Sequence, residues 1–266
     1  MKPFITCLLV LVGMTSALSQ EKDNSDSTGE NFSLEGALAM FKNANTLEDF
    51  EKLLNEENNN VNNLDLNDDG DIDYVSVEDI MNGDNHVIVL SAVLGDNEKQ
   101  DIATIDIEKT GKEQAELQIT GDNDLYAANT IAEPSDVSEK LDSSGKGPAV
   151  PVIITKGMVV NVWFWPSIRF IYAPGYHVWV SPNRWGYYPR WWKPWRPYRH
   201  TVFISRCAPH RVYFHRTPVR RVIVAHRTYG SRRHSSTLVV KSRKGTKVIR
   251  QEKPRRVKAV HMSRRR

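Results

Sequence analysis

The side chains with the clearest capacity for chemistry lie in residues 65–73, DLNDDGDID, called the acidic loop below. Calcium takes about six to eight oxygen ligands, and Asp and Asn at alternating positions of a tight loop supply them. Gly70 permits the sharp turn that such a loop needs. The spacing therefore predicts calcium as a cofactor. The predicted ligands are Asp65, Asn67, Asp69, Asp71 (through its backbone carbonyl) and Asp73.

The acidic loop resembles the calcium loops of EF-hands, dockerins and FG-GAP-type repeats over about a dozen residues. The resemblance implies the same five ligands. It departs from the EF-hand at the twelfth position, where Ser76 replaces the bidentate glutamate. Residues 74–77, YVSV, indicate a strand rather than an exiting helix. These departures argue against an EF-hand pair and favour the FG-GAP arrangement, in which Asp73 binds the ion directly.

A turn without metal, held by its own Asp and Asn side chains, is the alternative interpretation of the acidic loop. Aspartates crowded into nine residues would repel one another unless a cation lay between them, which favours a metal. A structural role is favoured over signalling, because extracellular calcium can fill weak sites with a Kd of about 10⁻⁴–10⁻³ M.

All tryptophans of the chain fall within residues 158–198, where prolines and tyrosines separate them. They are Trp163, Trp165, Trp179, Trp185, Trp191, Trp192 and Trp195. Two functional interpretations compete: the rings can stack on sugars or bases, or they can lie at a membrane surface beside the interleaved arginines. A third interpretation needs no ligand, because large aromatic rings also pack readily against an open face of the acidic half.

Charge divides the chain into two nearly opposite halves. Residues 21–150 carry 31 acidic and 8 basic residues, a net charge of −23, whereas residues 151–266 carry 27 basic residues and one acid, a net charge of +26. The basic half predicts binding to an anionic polymer such as lipopolysaccharide, acidic polysaccharide or nucleic acid, since counterion release drives such association. The opposite charges also predict self-association, or neutralisation of the basic half within one molecule.

Residues 1–19 predict an export signal. Lys2 precedes an apolar stretch at 4–12, and Ala17-Leu18-Ser19 provides a cleavage site before Gln20. We therefore expect an exported protein in the periplasm, the outer envelope or the extracellular space. The order of an acidic domain with this loop, followed by a Trp/Tyr/Pro-rich basic half, resembles uncharacterised bacterial secreted envelope proteins and implies no activity.

The hydrophobic pattern predicts an α+β fold for the acidic half. Helical spacing after the caps Ser33 and Thr46 predicts two helices. Alternating and continuous apolar runs then predict an antiparallel meander of four strands, at 74–77, 87–94, 102–107 and 115–120. The full division is a disordered leader at 20–31, an acidic domain at 32–140, a linker at 141–150, an irregular aromatic-rich segment at 151–198, and a largely disordered basic tail at 199–266.

Sequence motifs of common enzyme classes are absent, including H-E-x-x-H, G-x-S-x-G, the P-loop and the Rossmann fingerprint, so an enzyme is not expected. The first hypothesis is a non-enzymatic secreted or envelope-associated protein with structural calcium, whose basic half binds anionic surface polymers. The alternatives are a carbohydrate-binding module that uses the tryptophans, or nucleic-acid binding by the basic tail. The salt dependence of binding distinguishes the polyanion hypotheses from saccharide stacking, because the affinity for a polyanion falls steeply as the salt concentration rises.

Overall fold

A computed structural model describes residues 28–135, 159–230, 237–242 and 245–250. The predicted export signal and the linker lie outside these residues. The helices are α1 Leu34–Asn43, α2 Leu47–Leu54, α3 Pro166–Ile171, α4 His200–Cys207 and α5 Ile223–Gly230. The strands are β1 Tyr74–Asn82, β2 Asn85–Gly95, β3 Glu98–Gly111, β4 Gln114–Gly121, β5 Ile131–Pro134, β6 Phe214–Thr217, β7 Thr237–Ser242 and β8 Gly245–Arg250.

The first two helices begin at the predicted caps. Ser33 Oγ accepts a hydrogen bond from the Gly36 amide at 2.9 Å, and Thr46 Oγ1 accepts one from the Asp49 amide at 3.0 Å. Each cap satisfies an amide that has no partner in the first turn of its helix. The predicted disordered leader, residues 20–31, is wrong for its last four residues, because Thr28–Asn31 forms a short 3₁₀-helix.

Among the described residues, β1 to β6 form one antiparallel sheet in sequence order, and β7 and β8 form a separate hairpin. The predicted α+β class is confirmed, and β1 to β4 correspond to the predicted meander. The predicted count of four strands is wrong, because β5 adds a fifth strand and β6 a sixth. β6 comes from the basic half and pairs with β5 from Ile131–Thr217 to Pro134–Phe214. Strand pairing over such a sequence distance leaves no local signal in a four-residue segment.

One face of the sheet is apolar and carries the main core. Side chains of α1, α2 and α3 pack against alternate residues of β1 to β4, which produces the period of two seen in the sequence. The strand residues of this core include Val75, Val77, Ile88, Leu90, Ile105, Ile107, Leu117 and Ile119. The acidic half therefore has a continuous core on its helical side.

The opposite face of the sheet carries buried carboxylates and is covered by residues 218–230, called the basic strap below. Asp106 is fully buried and lies 3.0 Å from His226 Nδ1 and 3.6 Å from Arg220 Nη1. Burial raises the pKa of Asp106, against the opposing effect of His226. Arg221 Nε lies 3.2 Å from the Glu133 carboxylate. The carboxylates of the acidic half thus neutralise basic residues of the same molecule.

The basic strap also has an apolar side, formed by Val222, Ala225 and Tyr229, which packs on Ile80, Val87 and Val89 of the sheet. The expectation of a largely disordered basic tail is therefore wrong for residues 199–230. Its composition was too basic to bury a core alone, but the sheet supplies both apolar surface and opposite charge. Residues 251–266 of that tail lie outside the described residues.

The described part of the aromatic segment, residues 159–198, is irregular apart from α3 and isolated bridges, as its prolines predicted. It runs along the free edge of β1. The Asp79 amide donates to the Trp179 carbonyl at 2.8 Å, and the Ser181 amide donates to the Val77 carbonyl at 3.0 Å. Covering the edge of a sheet in this way satisfies its unpaired backbone groups. None of the helices in the described residues is long and apolar enough to cross a membrane.

Candidate functional site

Glu51, on the buried side of α2, fixes the aromatic segment against the sheet. Its carboxylate accepts hydrogen bonds from Tyr74 Oη at 2.7 Å and from the Val77 amide at 2.9 Å. It also accepts hydrogen bonds from Ser181 Oγ at 2.7 Å and Asn183 Nδ2 at 2.8 Å. Three of these four donors converge on Oε1, and the Val77 amide binds Oε2. One buried side chain thereby joins α2, β1 and the aromatic segment.

A second buried group holds the preceding part of the aromatic segment. Asp79 accepts a hydrogen bond from Tyr176 Oη at 2.8 Å and lies 2.9 Å from His86 Nδ1. The His86 ring in turn contacts the ring of Tyr172 edge-on, with 5.0 Å between centroids. These contacts place residues 176–195 at a defined position beside β1, and therefore beside the acidic loop that leads into β1.

The acidic loop closes through hydrogen bonds between its side chains and its own backbone. The Asp65 carboxylate accepts from the Asp69 amide at 3.1 Å, and the Asp69 carboxylate accepts from the Asp71 amide at 2.9 Å. Buried Asp73 accepts from the Leu66 amide. The predicted ligand residues are thus brought together, but in a network that the loop itself supplies.

The loop backbone has the predicted tight turn, with Gly70 at φ +90° and Asp68 at φ +63°. Asn67 Nδ2 donates to Asp69 Oδ2 at 2.8 Å. Within the described residues, no group of three or more His, Cys, Asp or Glu is arranged to hold a metal ion. A calcium ion would need Asn67 and Asp69 to exchange this hydrogen bond for coordination, so the donor chemistry fits calcium and the present geometry fits it only in part.

Calcium binding is expected to stabilise the full chain if the predicted site exists. At ten times the Kd, binding adds about 1.4 kcal/mol to the free energy of unfolding, which corresponds to a rise in Tm of about 3–6 °C. Differential scanning calorimetry with millimolar calcium measures this rise. Asp69→Ala should abolish it, whereas Asp96→Ala, in an exposed hairpin turn, should retain it. An unchanged Tm at 10 mM calcium would leave the metal-free turn as the correct interpretation.

A cleft of about 490 Å³ separates the acidic loop from the aromatic segment. Its loop wall contains Asp69, Asp71 and Asp73, and its opposite wall contains aromatic rings and two cations. The residues of that opposite wall include Trp185, Tyr188, Trp192, Arg190 and Lys193. The Ile72 amide donates to the Trp195 carbonyl at 2.9 Å, which links the two walls at one end. Ligand pockets commonly measure about 300–1,000 Å³, so the cleft is large enough for a small molecule.

The aromatic wall is a mutually packed group of rings. Tyr188 and Trp192 have ring centroids 4.5 Å apart, and Tyr74 lies 5.3 Å from Tyr188 and 5.1 Å from Trp192. Burial raises the pKa of Tyr188 to about 12, with help from the nearby carboxylates of Asp73 and Asp69. The Tyr188 phenol therefore stays protonated at neutral pH and can donate a hydrogen bond into the cleft.

The tryptophans serve different purposes in the fold. Trp185 and Trp192 line the cleft, and Trp179 and Trp191 line a neighbouring, smaller cleft. Trp165 is buried in the main core and meets Phe214 edge-on. Trp163 packs beside Tyr172, with 5.4 Å between ring centroids, under Lys109. Six of the seven predicted tryptophans therefore divide into rings that line clefts and rings that pack against the acidic half, and Trp195 contacts the acidic loop through its backbone carbonyl.

Several cleft residues were missing from the predicted site, namely Tyr74, Tyr188, Arg190 and Lys193. The sequence gives a weak indication that Tyr74 belongs to the site, because Tyr74 directly follows the acidic loop. The other three lie in GYYPRWWK, where Gly186 at φ +74° and Pro189 shape the turns that present them. The hydrogen bonds to Glu51 and Asp79, together with the one from Ile72 to Trp195, show which face of this segment meets the loop.

A smaller cavity of about 150 Å³ lies between the basic strap and the sheet, lined by polar groups that include Arg220, His226 and Asp122. Arg220 and His226 already pair with buried Asp106 of the sheet, so the aromatic cleft is the stronger site for a ligand. Neither a protein-family model, nor a curated protein, nor a solved structure matches this chain.

Proposed function

We propose that this protein is a non-enzymatic, exported saccharide-binding protein, with the aromatic cleft as its binding site and calcium as a structural ion in the adjacent loop. The observation that carries the proposal is the cleft itself, in which Trp185, Tyr188 and Trp192 face the acidic loop. A sugar ring has an apolar C–H face and a rim of hydroxyl groups. Aromatic rings complement the first, and carboxylates, Tyr188 and the two cations can hydrogen-bond the second.

Binding of anionic surface polymers by the basic half is the second candidate function. Exposed cations of the aromatic segment, such as Arg184, Arg190 and Arg196, favour it. Three arginines of the following region are instead engaged with carboxylates of the same chain: Arg216 with Glu30 and Glu35, Arg220 with Asp106, and Arg221 with Glu133. This internal pairing reduces the charge available to an external polymer. Lipopolysaccharide, acidic polysaccharide, nucleic acid, a membrane surface and a second copy of the chain stay proposed partners.

Trp185→Ala is expected to weaken saccharide binding about tenfold, a loss of about 1.4 kcal/mol, because a stacking ring of the cleft is removed. Trp185 is 40% exposed, so its removal should leave the fold intact. Isothermal titration with soluble hexasaccharides of glucose, N-acetylglucosamine and galacturonate measures the affinity. Phe164→Ala is the matched control, because Phe164 is 64% exposed and lies outside the cleft residues.

The same titrations at two salt concentrations separate the two candidate functions. The affinity of saccharide stacking should change little between 50 and 500 mM salt, a range over which the screening of exposed charges increases strongly. Binding that falls steeply with salt and ignores Trp185→Ala would favour the polyanion function instead.

A further inference from the structure

A second cleft lies next to the first. It measures about 190 Å³, and two residues, Tyr74 and Pro189, line both clefts. The two clefts are therefore adjacent at Pro189, and an extended ligand that occupies both would pass this residue.

The second cleft repeats the chemistry of the first, with an aromatic wall and an acidic wall. Trp191 is 43% exposed, and Trp179 packs more deeply with its indole nitrogen lacking a hydrogen-bond acceptor among the described residues. Across from them lie Glu48 and Asp49 of α2. Lys52 Nζ sits 5.9 Å from the centre of the Trp191 ring, which holds that ring at the rim.

The carboxylates of the second cleft restrict what can bind there. Glu51 is buried and already accepts four hydrogen bonds within the protein, so the more exposed Glu48 and Asp49 supply the acceptors that face a ligand. Hydroxyl or ammonium groups can donate to them, whereas a ligand carboxylate would be repelled. Lys52 alone offsets this negative charge among the residues of this cleft.

Resting on the proposed saccharide-binding function, we infer that the two clefts are adjacent subsites for an oligosaccharide of neutral or amino sugars. One sugar residue stacks on the Trp185 side and a later residue on Trp191, with the saccharide chain passing Pro189, which lines both clefts. The ligand is thus a polymer segment rather than a single sugar, and uronic-acid polymers are disfavoured by the second cleft.

Chain-length dependence tests the subsites. The full-length protein is titrated with N-acetylglucosamine oligomers of two to six residues at one fixed calcium concentration. We expect affinity to rise about tenfold or more from the dimer to the hexamer. Trp191→Ala should remove this gain and leave dimer binding in place, whereas Trp185→Ala should weaken every length. Phe164→Ala should leave the whole series unchanged, and thermal melts show whether each variant is folded.

Charge selectivity tests the ligand class. Glucosamine and N-acetylglucosamine hexamers should bind at least tenfold more tightly than the galacturonate hexamer. The double variant Glu48→Gln/Asp49→Asn should bring this ratio toward one, and Glu113→Gln, in an exposed turn, should preserve it.

The outcomes are distinguishable. Binding that depends on Trp185 but does not grow with chain length would overturn the two subsites and leave saccharide binding standing. Galacturonate binding as tight as glucosamine binding would overturn the ligand class. If no oligosaccharide of either panel binds, the proposed function itself is wrong.

Discussion

Ala225→Asp is expected to detach the basic strap from the sheet. Ala225 has no exposed surface, and it packs from the strap onto the apolar residues Val87 and Val89 of the sheet. Its amide donates to the Glu108 carboxylate at 3.0 Å, so a new aspartate would lie buried beside an existing negative charge. A buried, uncompensated charge costs about 3–5 kcal/mol. The loss should appear as undocking of the strap, because the main core lies on the other face of the sheet.

Limited trypsin digestion measures this undocking, since the strap contains cleavable bonds after Arg220, Arg221 and Arg227. Cleavage there should accelerate about a hundredfold or more, the population change that about 3 kcal/mol produces. Ile223→Asp is the control, because Ile223 is 44% exposed on the same helix and should leave cleavage nearly unchanged. Equal cleavage of both variants and the parent protein would mean that the strap is not docked in solution.

Glu51→Ala is expected to release the aromatic segment and to lower the free energy of unfolding by about 3 kcal/mol or more. The substitution leaves Tyr74 Oη, the Val77 amide, Ser181 Oγ and Asn183 Nδ2 without their acceptor. Each buried donor left unsatisfied costs about 1–3 kcal/mol, although water can reach some of them after release. Both clefts should be lost together, because the same carboxylate positions their shared wall.

Urea unfolding and near-ultraviolet circular dichroism measure these two effects. The tryptophan signal should weaken before the far-ultraviolet signal changes, since the helices α1 and α2 and the strands β1 to β4 keep their apolar core contacts. Glu48→Ala, an exposed position one turn earlier in α2, should cost less than about 1 kcal/mol. If Glu51→Ala matched that small cost, the hydrogen bonds to Glu51 would not hold the segment.

The helices and first four strands follow from short-range signals in the sequence. Ser33 and Thr46 cap their helices because a hydroxyl reaches an amide three residues away, a distance that the local chain already sets. The alternation in β4 predicts its strand because successive side chains point to opposite faces. The tight turn at Gly70 follows from the conformational freedom of glycine.

The sequence also indicated that the acidic loop and the tryptophans were the chemically distinctive parts. It left open whether those rings pack on the protein or meet a ligand, because residue type alone does not show which face is covered. The fold places Trp165 in the core and Trp185 at a cleft, although both have the same side chain. Their difference arises from neighbours such as Phe214, which are distant in sequence.

By itself, then, the sequence determined the α+β class, the caps, the first strands and the opposite charges of the two halves. The tertiary structure alone decided three features. β6 extends the sheet, the basic strap covers the sheet face that carries the buried carboxylates, and the aromatic segment meets the acidic loop. The physical reason is the sequence separation of the residues that interact. Caps and strand alternation depend on residues a few positions apart, whereas Glu51–Ser181 and Asp106–His226 contacts join residues over a hundred positions apart. Such contacts form only when burial and charge pairing of the whole chain compensate its lost conformational entropy.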